Sequence, residues 1–291
     1  MITRARYDVP LPNRAALSLG ARTLVMCVIN VTPDSFSDGG VRFDPSRAVE
    51  DGLRMISEGA DLLDVGGEST RPGAEEIDAA EELRRVLPVI EPLAASGAIV
   101  SVDTYKAVVA REAISRGATM VNDISGFLFD PELPGVAAAT GAAVVLMHNR
   151  GRSRDMYTEA SYIDVAAEVK RELEAAIARA CDAGVRREAI VVDPGLGFAK
   201  RAEHSYEVLA RLEMLRALDR PILCGPSRKS FLTAAVGKKL PVEREWATAA
   251  AIASSVFSGA HIVRVHRVAE MVDVVKVADR IRAAALDNPS M

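Results

Sequence analysis

The chain has 291 residues, 49% of them hydrophobic, and a formal net charge of -4. That length can bury a large core, and the near-balanced charge excludes the broad positive field of a nucleic-acid or anionic-membrane binder. The three cysteines, Cys27, Cys181 and Cys224, are odd in number, far apart and without CxxC spacing. They fit free thiols in a reducing compartment better than a disulfide frame or a zinc knot.

The N-terminal stretch MITRARYDVPLPNR lacks the apolar core of a secretion signal, so a cytoplasmic location is expected. Residues 1–22 read as an N-terminal extension and 23–291 as one domain. From residue 24 onward, strand-length apolar runs alternate with helical patterns. The runs are LVMCVIN (24–30), DLLDVG (61–66), IVSVDT (99–104), MVNDIS (120–125), AVVLMH (143–148), IVVDPG (190–195), PILCG (221–225) and HIVRVH (261–266). They are nearly continuous in Val, Ile and Leu, as parallel strands covered on both faces must be. Asp44 followed by Pro45 marks a helix start, and Val165, Val169, Leu173, Ala176, Ile177 and Ala180 repeat at helical spacing. Eight strand-helix units in one chain predict a closed (β/α)8 TIM barrel of the α/β class. An open doubly wound sheet would need a glycine fingerprint after its first strand; the nearest match, GLGFAK at 195–200, follows the sixth. The uncharged stretch from Trp246 to Val263 is interrupted by Thr248, Ser254, Ser255, Ser258, Gly259 and His261. It reads as a helix running into a strand and not as a membrane span, with Trp246 expected to pack behind the barrel.

In such a barrel the chemistry sits at the carboxyl ends of the strands. Those ends here are Asn30, Asp64 with Glu68, Asp103, Asn122 with Asp123, His148, Asp193, Lys229 just past the seventh strand, and Arg264 with His266. Asp103, Asn122 and Asp193 suit a flat heterocycle rich in N–H donors. Lys229, Arg264 and His266 suit a phosphate or diphosphate. Ser227 precedes an expected helix start in PSRKSFL, where backbone N–H groups add anion affinity. Asn30, a neutral oxygen donor, fits Mg²⁺ carried in with a diphosphate better than a dedicated metal cage. Arg264 could instead serve as an ion-pair partner of Asp193, and His148 as a donor to a backbone carbonyl. No nucleophile is evident: there is no GxSxG elbow and no cysteine at a strand end.

The stretches INVTPDSFSDGG, DVGGESTRPGA, SVDTYKAVVA, VNDISG, DPGLGFAK, GPSRKSFL and RVH, in that order from residue 29 to 266, resemble the ordered motifs of the dihydropteroate synthase family. The resemblance implies a (β/α)8 barrel that joins 6-hydroxymethyl-7,8-dihydropterin diphosphate to p-aminobenzoate in folate biosynthesis and is a target of sulfonamides. It implies that Asp103, Asn122, Asp193 and Lys229 hold the pterin, that Thr70 and Arg71 lie toward the diphosphate and the aminobenzoate, and that Arg264 and His266 grip the phosphates. It further implies that Asn30 binds Mg²⁺ and that two chains form a homodimer. Asp103, Lys229 and Arg264 are then the groups expected to act on the reacting atoms. Phe36, Thr70, Arg71, Pro72 and Ser227 are expected to form the aminobenzoate pocket, with Thr32 to Gly40 and Glu68 to Ala74 as a lid. Arg201 and Arg267 stand where threonine and an acidic residue are commoner in the family. A methyltetrahydrofolate-binding methyltransferase domain, a Schiff-base aldolase using Lys229 and a non-catalytic pterin-binding paralogue are the alternatives.

Overall fold

The eight apolar runs form the eight strands of one parallel sheet. The structure is a computed structural model and describes residues 3–32, 44–70, 73–152, 157–158 and 160–287. A two-stranded hairpin comes first, β1 (Tyr7–Leu11) and β2 (Arg14–Leu19), antiparallel. The barrel strands follow: β3 (Leu24–Asn30), β4 (Leu62–Gly66), β5 (Val100–Asp103), β6 (Met120–Asp123), β7 (Ala143–Met147), β8 (Ile190–Asp193), β9 (Leu223–Cys224) and β10 (Ile262–Val265). They pair in the order β8-β7-β6-β5-β4-β3-β10-β9, and a parallel bridge between Val192 and Ile222 brings the two ends together. The TIM barrel expected from the alternating runs is therefore present.

Helices cover the outside: α1 (Pro45–Ser57), α2 (Ala79–Ala95), α3 (Ala107–Ser115), α4 (Leu133–Thr140), α5 (Val165–Asp182), α6 (Ala202–Ala210), the single turn α7 (Thr233–Val236), α8 (Glu245–Phe257) and α9 (Val268–Asp287). The sequence signal for α1 holds in detail, since the Asp44 carboxylate accepts the Ser46 N–H at 2.9 Å with Pro45 at the first helical position. Among the described residues, no helix is long and apolar enough to cross a membrane.

Residues 3–22 are more than a tail. Val9, Leu11, Leu17 and Leu19 of the hairpin are buried against Met26, Leu62, Met120, Val145, Val191, Leu223 and Ile262, the inward-facing residues at the amino end of the strands. The hairpin thus floors the barrel. Side chains two residues apart on a strand share a face, so the next inward layer above Leu62, Met120, Val191 and Ile262 consists of Asp64, Asn122, Asp193 and Arg264. An apolar floor lies directly under a charged layer, and that step places the site.

A buried histidine fastens the floor. His261 Nδ1 accepts the Ile222 N–H and its Nε2–H donates to the Ala5 carbonyl, both at 3.1 Å. Accepting at Nδ1 requires the neutral ring, and burial, aided by the Arg4 charge, pushes its pKa down to about 3. The unfolded chain therefore takes up this proton first as pH falls, and stability is lost between the ordinary histidine value near 6.5 and about 3. Melting temperature should fall steeply as pH drops from about 6 to 4, and His261→Gln, whose amide can keep both contacts, should flatten that slope. An unchanged slope in the variant would show that the latch does not govern acid unfolding.

Candidate active site

At the carboxyl end of the barrel lies an open cleft of about 360 Å³ lined by Thr70, Asp103, Asn122, Asp193, Lys229 and Arg264, with Phe198, Met147 and Ile124 as its apolar part. Six residues expected to act together, spread over four strands and two loops, are thus brought to one cavity. Arg264 stands among the acids. Its Nε donates to Asp64 Oδ2 at 2.6 Å and an Nη to Asp103 Oδ2 at 2.7 Å. Asn122 Nδ2 donates to the same Asp64 oxygen at 2.8 Å. The ion-pair partners of Arg264 are therefore Asp64 and Asp103, and the acceptor and cation groups interpenetrate. Burial lowers the Arg264 pKa, but the two carboxylates outweigh it and hold the guanidinium above its ordinary value.

Burial raises the pKa of Asp103, opposed by Arg264 and Lys229. It raises that of Asp193 too, opposed by the Gly195 N–H, which Asp193 accepts at 2.7 Å, and by Lys229. Lys229 is lowered by burial and by Arg264, while Asp193 and Asp103 pull the other way. Its ammonium lies 3.8 Å from the centre of the Phe198 ring, a cation–π contact in the cleft wall.

His266 Nδ1 lies 2.9 Å from Ser227 Oγ, which also accepts the His266 backbone N–H at 3.3 Å. Ser227 is buried beside the rim and serves to orient that imidazole. The helix expected after it is shorter than PSRKSFL suggests: Ser230–Leu232 is a 3₁₀ turn and α7 has four residues. Too few peptide dipoles align there to supply much anion affinity. The SRK turn is instead fixed by side chains. Arg228, at φ +60°, donates its N–H to Thr248 Oγ1 at 3.1 Å, and Arg244 donates to the Arg228 carbonyl at 2.7 Å.

Asn30 ends β3 half-buried, and Thr70 reaches the cleft from the loop after β4. Phe36, Arg71 and Pro72, with the Thr32–Gly40 lid from residue 33 onward, lie outside the described residues. The base of the second loop is well held: Glu68 accepts from the Tyr105 hydroxyl at 2.6 Å and pairs with Lys106, which also pairs with buried Glu82 at 2.5 Å. Arg267 pairs with Glu270 on the surface, away from the cleft. Trp246 does not pack behind the barrel; it is 90% exposed at the start of α8.

Asp64 was named among the strand ends but given no role, and Phe198 and Lys200 were not assigned to the site from sequence. Asp64 is fully buried, and its Oδ1 has no protein partner; a carboxylate inside an otherwise apolar strand was the available signal. Phe198 and Lys200 both lie in the DPGLGFAK motif. His148 does not bond a backbone carbonyl through its ring. Its Nε2 meets Glu172 at 3.0 Å and its Nδ1 meets Lys200 Nζ at 2.7 Å, and burial with the Lys200 charge lowers its pKa to about 4.

A family model described as pterin binding enzyme matches residues 26–266. A dihydropteroate synthase of Mycobacterium leprae is 49% identical over 259 residues, 87% of this chain and 91% of the relative. The chain belongs to the dihydropteroate synthase family. Among solved structures, the Xanthomonas albilineans dihydropteroate synthase with 4-aminobenzoic acid superposes with a TM-score of 0.87 at 42% identity, over 94% of this chain and 99% of that one. The same organism's enzyme in complex with 7,8-dihydropteroate gives 0.84 at 40% identity, with the same shares covered. The dihydropteroate synthase family consists of transferases of folate biosynthesis, and this chain is an enzyme of that class.

Asp64 carries a direct test. Asp64→Asn removes a charge that neutralises buried Arg264 and holds Asn122, a loss of about 3 kcal/mol in stability and at least about tenfold in pterin affinity. Denaturant unfolding and calorimetry with a bare pterin read the two effects. Unchanged pterin affinity in a folded variant would remove Asp64 from the site.

Proposed function

We propose that the chain joins 6-hydroxymethyl-7,8-dihydropterin diphosphate to p-aminobenzoate, giving 7,8-dihydropteroate and pyrophosphate. The observation that carries this reading is the single cleft in which Asp103, Asn122 and Asp193 meet Lys229 and Arg264, with buried Asp64 holding Asn122 and Arg264 from beneath. The acids and the amide complement the ring-edge N–H groups and the amide of a pterin. Lys229, Arg264 and His266 neutralise a diphosphate.

In the reaction the bond from the pterin methylene carbon to the diphosphate oxygen breaks, and its electron pair leaves with pyrophosphate. The lone pair of the aryl amine forms the new C–N bond, and the amine loses one proton to solvent or to pyrophosphate. A reduced pterin delocalises the cationic methylene, and the Asp103 carboxylate stabilises it electrostatically. No side-chain nucleophile is required. The protein positions the two substrates, neutralises the leaving group and keeps water from the cation. Phe198 is the aromatic among the described lining residues, so its face, with Thr70 and Ser227 nearby on the rim, is assigned to the aryl amine. The Xanthomonas enzyme found with 4-aminobenzoic acid supports p-aminobenzoate as the amine.

Mg²⁺ suits the residues present. Asn30 offers one neutral oxygen at the mouth, and no group of three or more His, Cys, Asp or Glu among the described residues could hold a metal by itself. A cation that keeps several waters and is shared with the diphosphate fits that donor set; it would add charge neutralisation at the leaving group. The buried, free Cys27 and Cys224 agree with the cytoplasm. Trp246, Leu240, Val242, Val277 and Ile281 are exposed on and around α8 and α9, an apolar surface that a second copy would cover in a homodimer.

Pyrophosphate release from the pterin diphosphate should require Mg²⁺ and stop on chelation, with dihydropteroate formed only when p-aminobenzoate is present. Sulfonamides should compete with p-aminobenzoate and not with the diphosphate, and Arg264→Met should lower kcat/KM by about two to three orders of magnitude. Absence of product under saturating substrates would leave a pterin-binding paralogue as the reading. Light scattering should give a dimer mass for the wild type, shifted toward monomer by Trp246→Asp; an unshifted mass would place the interface elsewhere.

A further inference from the structure

Lys200 is 1% exposed, and no carboxylate of the described residues pairs with it. An ammonium buried without an ion-pair partner costs several kcal/mol, so such a group survives where something else depends on it. Its surroundings show what does. Nζ lies 2.7 Å from His148 Nδ1 and donates to the carbonyls of Gly195 and Phe198, each at 3.1 Å, with the His148 carbonyl at 3.5 Å. One side chain thereby ties the segment after β8 to the segment after β7.

The tied segment turns sharply. Gly195 and Gly197 have φ of +66° and +78°, which glycine adopts freely, and Ala199 is strained at +46°, three left-handed positions within five residues. The two segments also press together: a Cβ on Gly195 would lie 2.0 Å from the His148 carbonyl oxygen. A backbone in this conformation makes few hydrogen bonds of its own, and the Lys200 ammonium satisfies two of its carbonyls. On the far side His148 is braced by Glu172 at 3.0 Å, and Glu172 by Arg150, so the clamp is anchored in α5. Besides these, the charged groups facing Lys200 are Asp193 and Lys229. On the near side the segment carries Phe198, whose ring forms the cleft wall beneath the Lys229 ammonium.

We infer that Lys200 is a positioning residue for the aryl amine: by clamping the Gly195 and Phe198 carbonyls to the His148 segment, it holds the Phe198 ring as a wall of the cleft. The inference rests on the reaction proposed above. It predicts a selective defect, because Arg264, the acids on β4 and β5 and Asn122 on β6 make no bond to this segment, and Lys229 meets it only at the Phe198 ring face.

The test is Lys200→Met in the full chain, with each substrate varied separately. KM for p-aminobenzoate should rise about tenfold or more while KM for the pterin diphosphate stays within about twofold. In a Phe198→Ala background the same substitution should add less than about twofold, since both changes remove one wall. Equal rises for both substrates, or fully additive effects, would overturn the inference. Should Lys200→Met fail to fold, Lys200→Ala, which also lacks the donors and leaves room for water at the freed carbonyls, enters the same cycle with the same criteria. If the wild type makes no dihydropteroate, the reaction as read fails. The clamp is then decided by hydrogen exchange: amides of residues 195–200 should exchange at least about tenfold faster in the variant, and equal rates would overturn it.

Discussion

The guanidinium of Arg264, held between Asp64 and Asp103, is the interaction on which the rest of the site depends. It joins β10 to β4 and β5 across the barrel mouth, and through the shared Asp64 oxygen it reaches Asn122 on β6. Buried ions are tolerated only as matched sets with hydrogen bonds in place. Here three carboxylates, Asp64, Asp103 and Asp193, face two cations, Arg264 and Lys229. Both signs lie within reach of one another, so a polar ligand with both donors and negative charge finds a partner for each. It rests on the apolar layer of Met26, Leu62, Met120 and Ile262, which excludes water from below and strengthens every charge contact above it.

Much of this was legible in the sequence because the barrel repeats one simple pattern. Continuous Val, Ile and Leu runs mark strands buried on both faces, and all eight appear as strands within a residue or two of their expected ends. Asp103, Asn122, Asp193 and Arg264 are legible for the same reason: a polar residue closing such a run must face the mouth. The hairpin was not legible. β1 contains Pro10, which reads as a break or an edge, and its burial is one-sided because it packs only upward into the barrel. The exposed Trp246 misleads in the opposite direction, since a lone tryptophan in an apolar stretch looks like core, yet here it stands on the outer face at the start of α8.

The contacts that sequence reading missed share a cause. Lys200 meets His148 across 52 positions and Arg264 meets Asp64 across 200. Periodicity reports which face a side chain occupies within its own element, and it says nothing about which partner the closed barrel brings opposite. Asp64 was visible as a charge inside a strand, but only the register of β4 beside β3 and β5 puts it under Arg264. Ser227 shows the converse: its position beside the cleft followed from the motif, while its bond to His266 follows from the chain's return at β10.

Lys229 shows how far local chemistry alone can lead. A buried lysine with a lowered pKa is what a Schiff-base enzyme requires, and Lys229 meets that description. Its surroundings argue otherwise. Part of the lowering comes from Arg264, a permanent cation that itself needs Asp64 and Asp103 and that would repel an iminium as strongly as an ammonium. The Lys229 head group also lies over the Phe198 ring, which stabilises its charged form. Two cations kept side by side at the cost of mutual repulsion make sense where a polyanion is to be bound and released, because the repulsion is relieved only when the anion arrives. The same pair of residues that would hinder covalent catalysis is therefore suited to drawing a diphosphate away from the carbon that bears it.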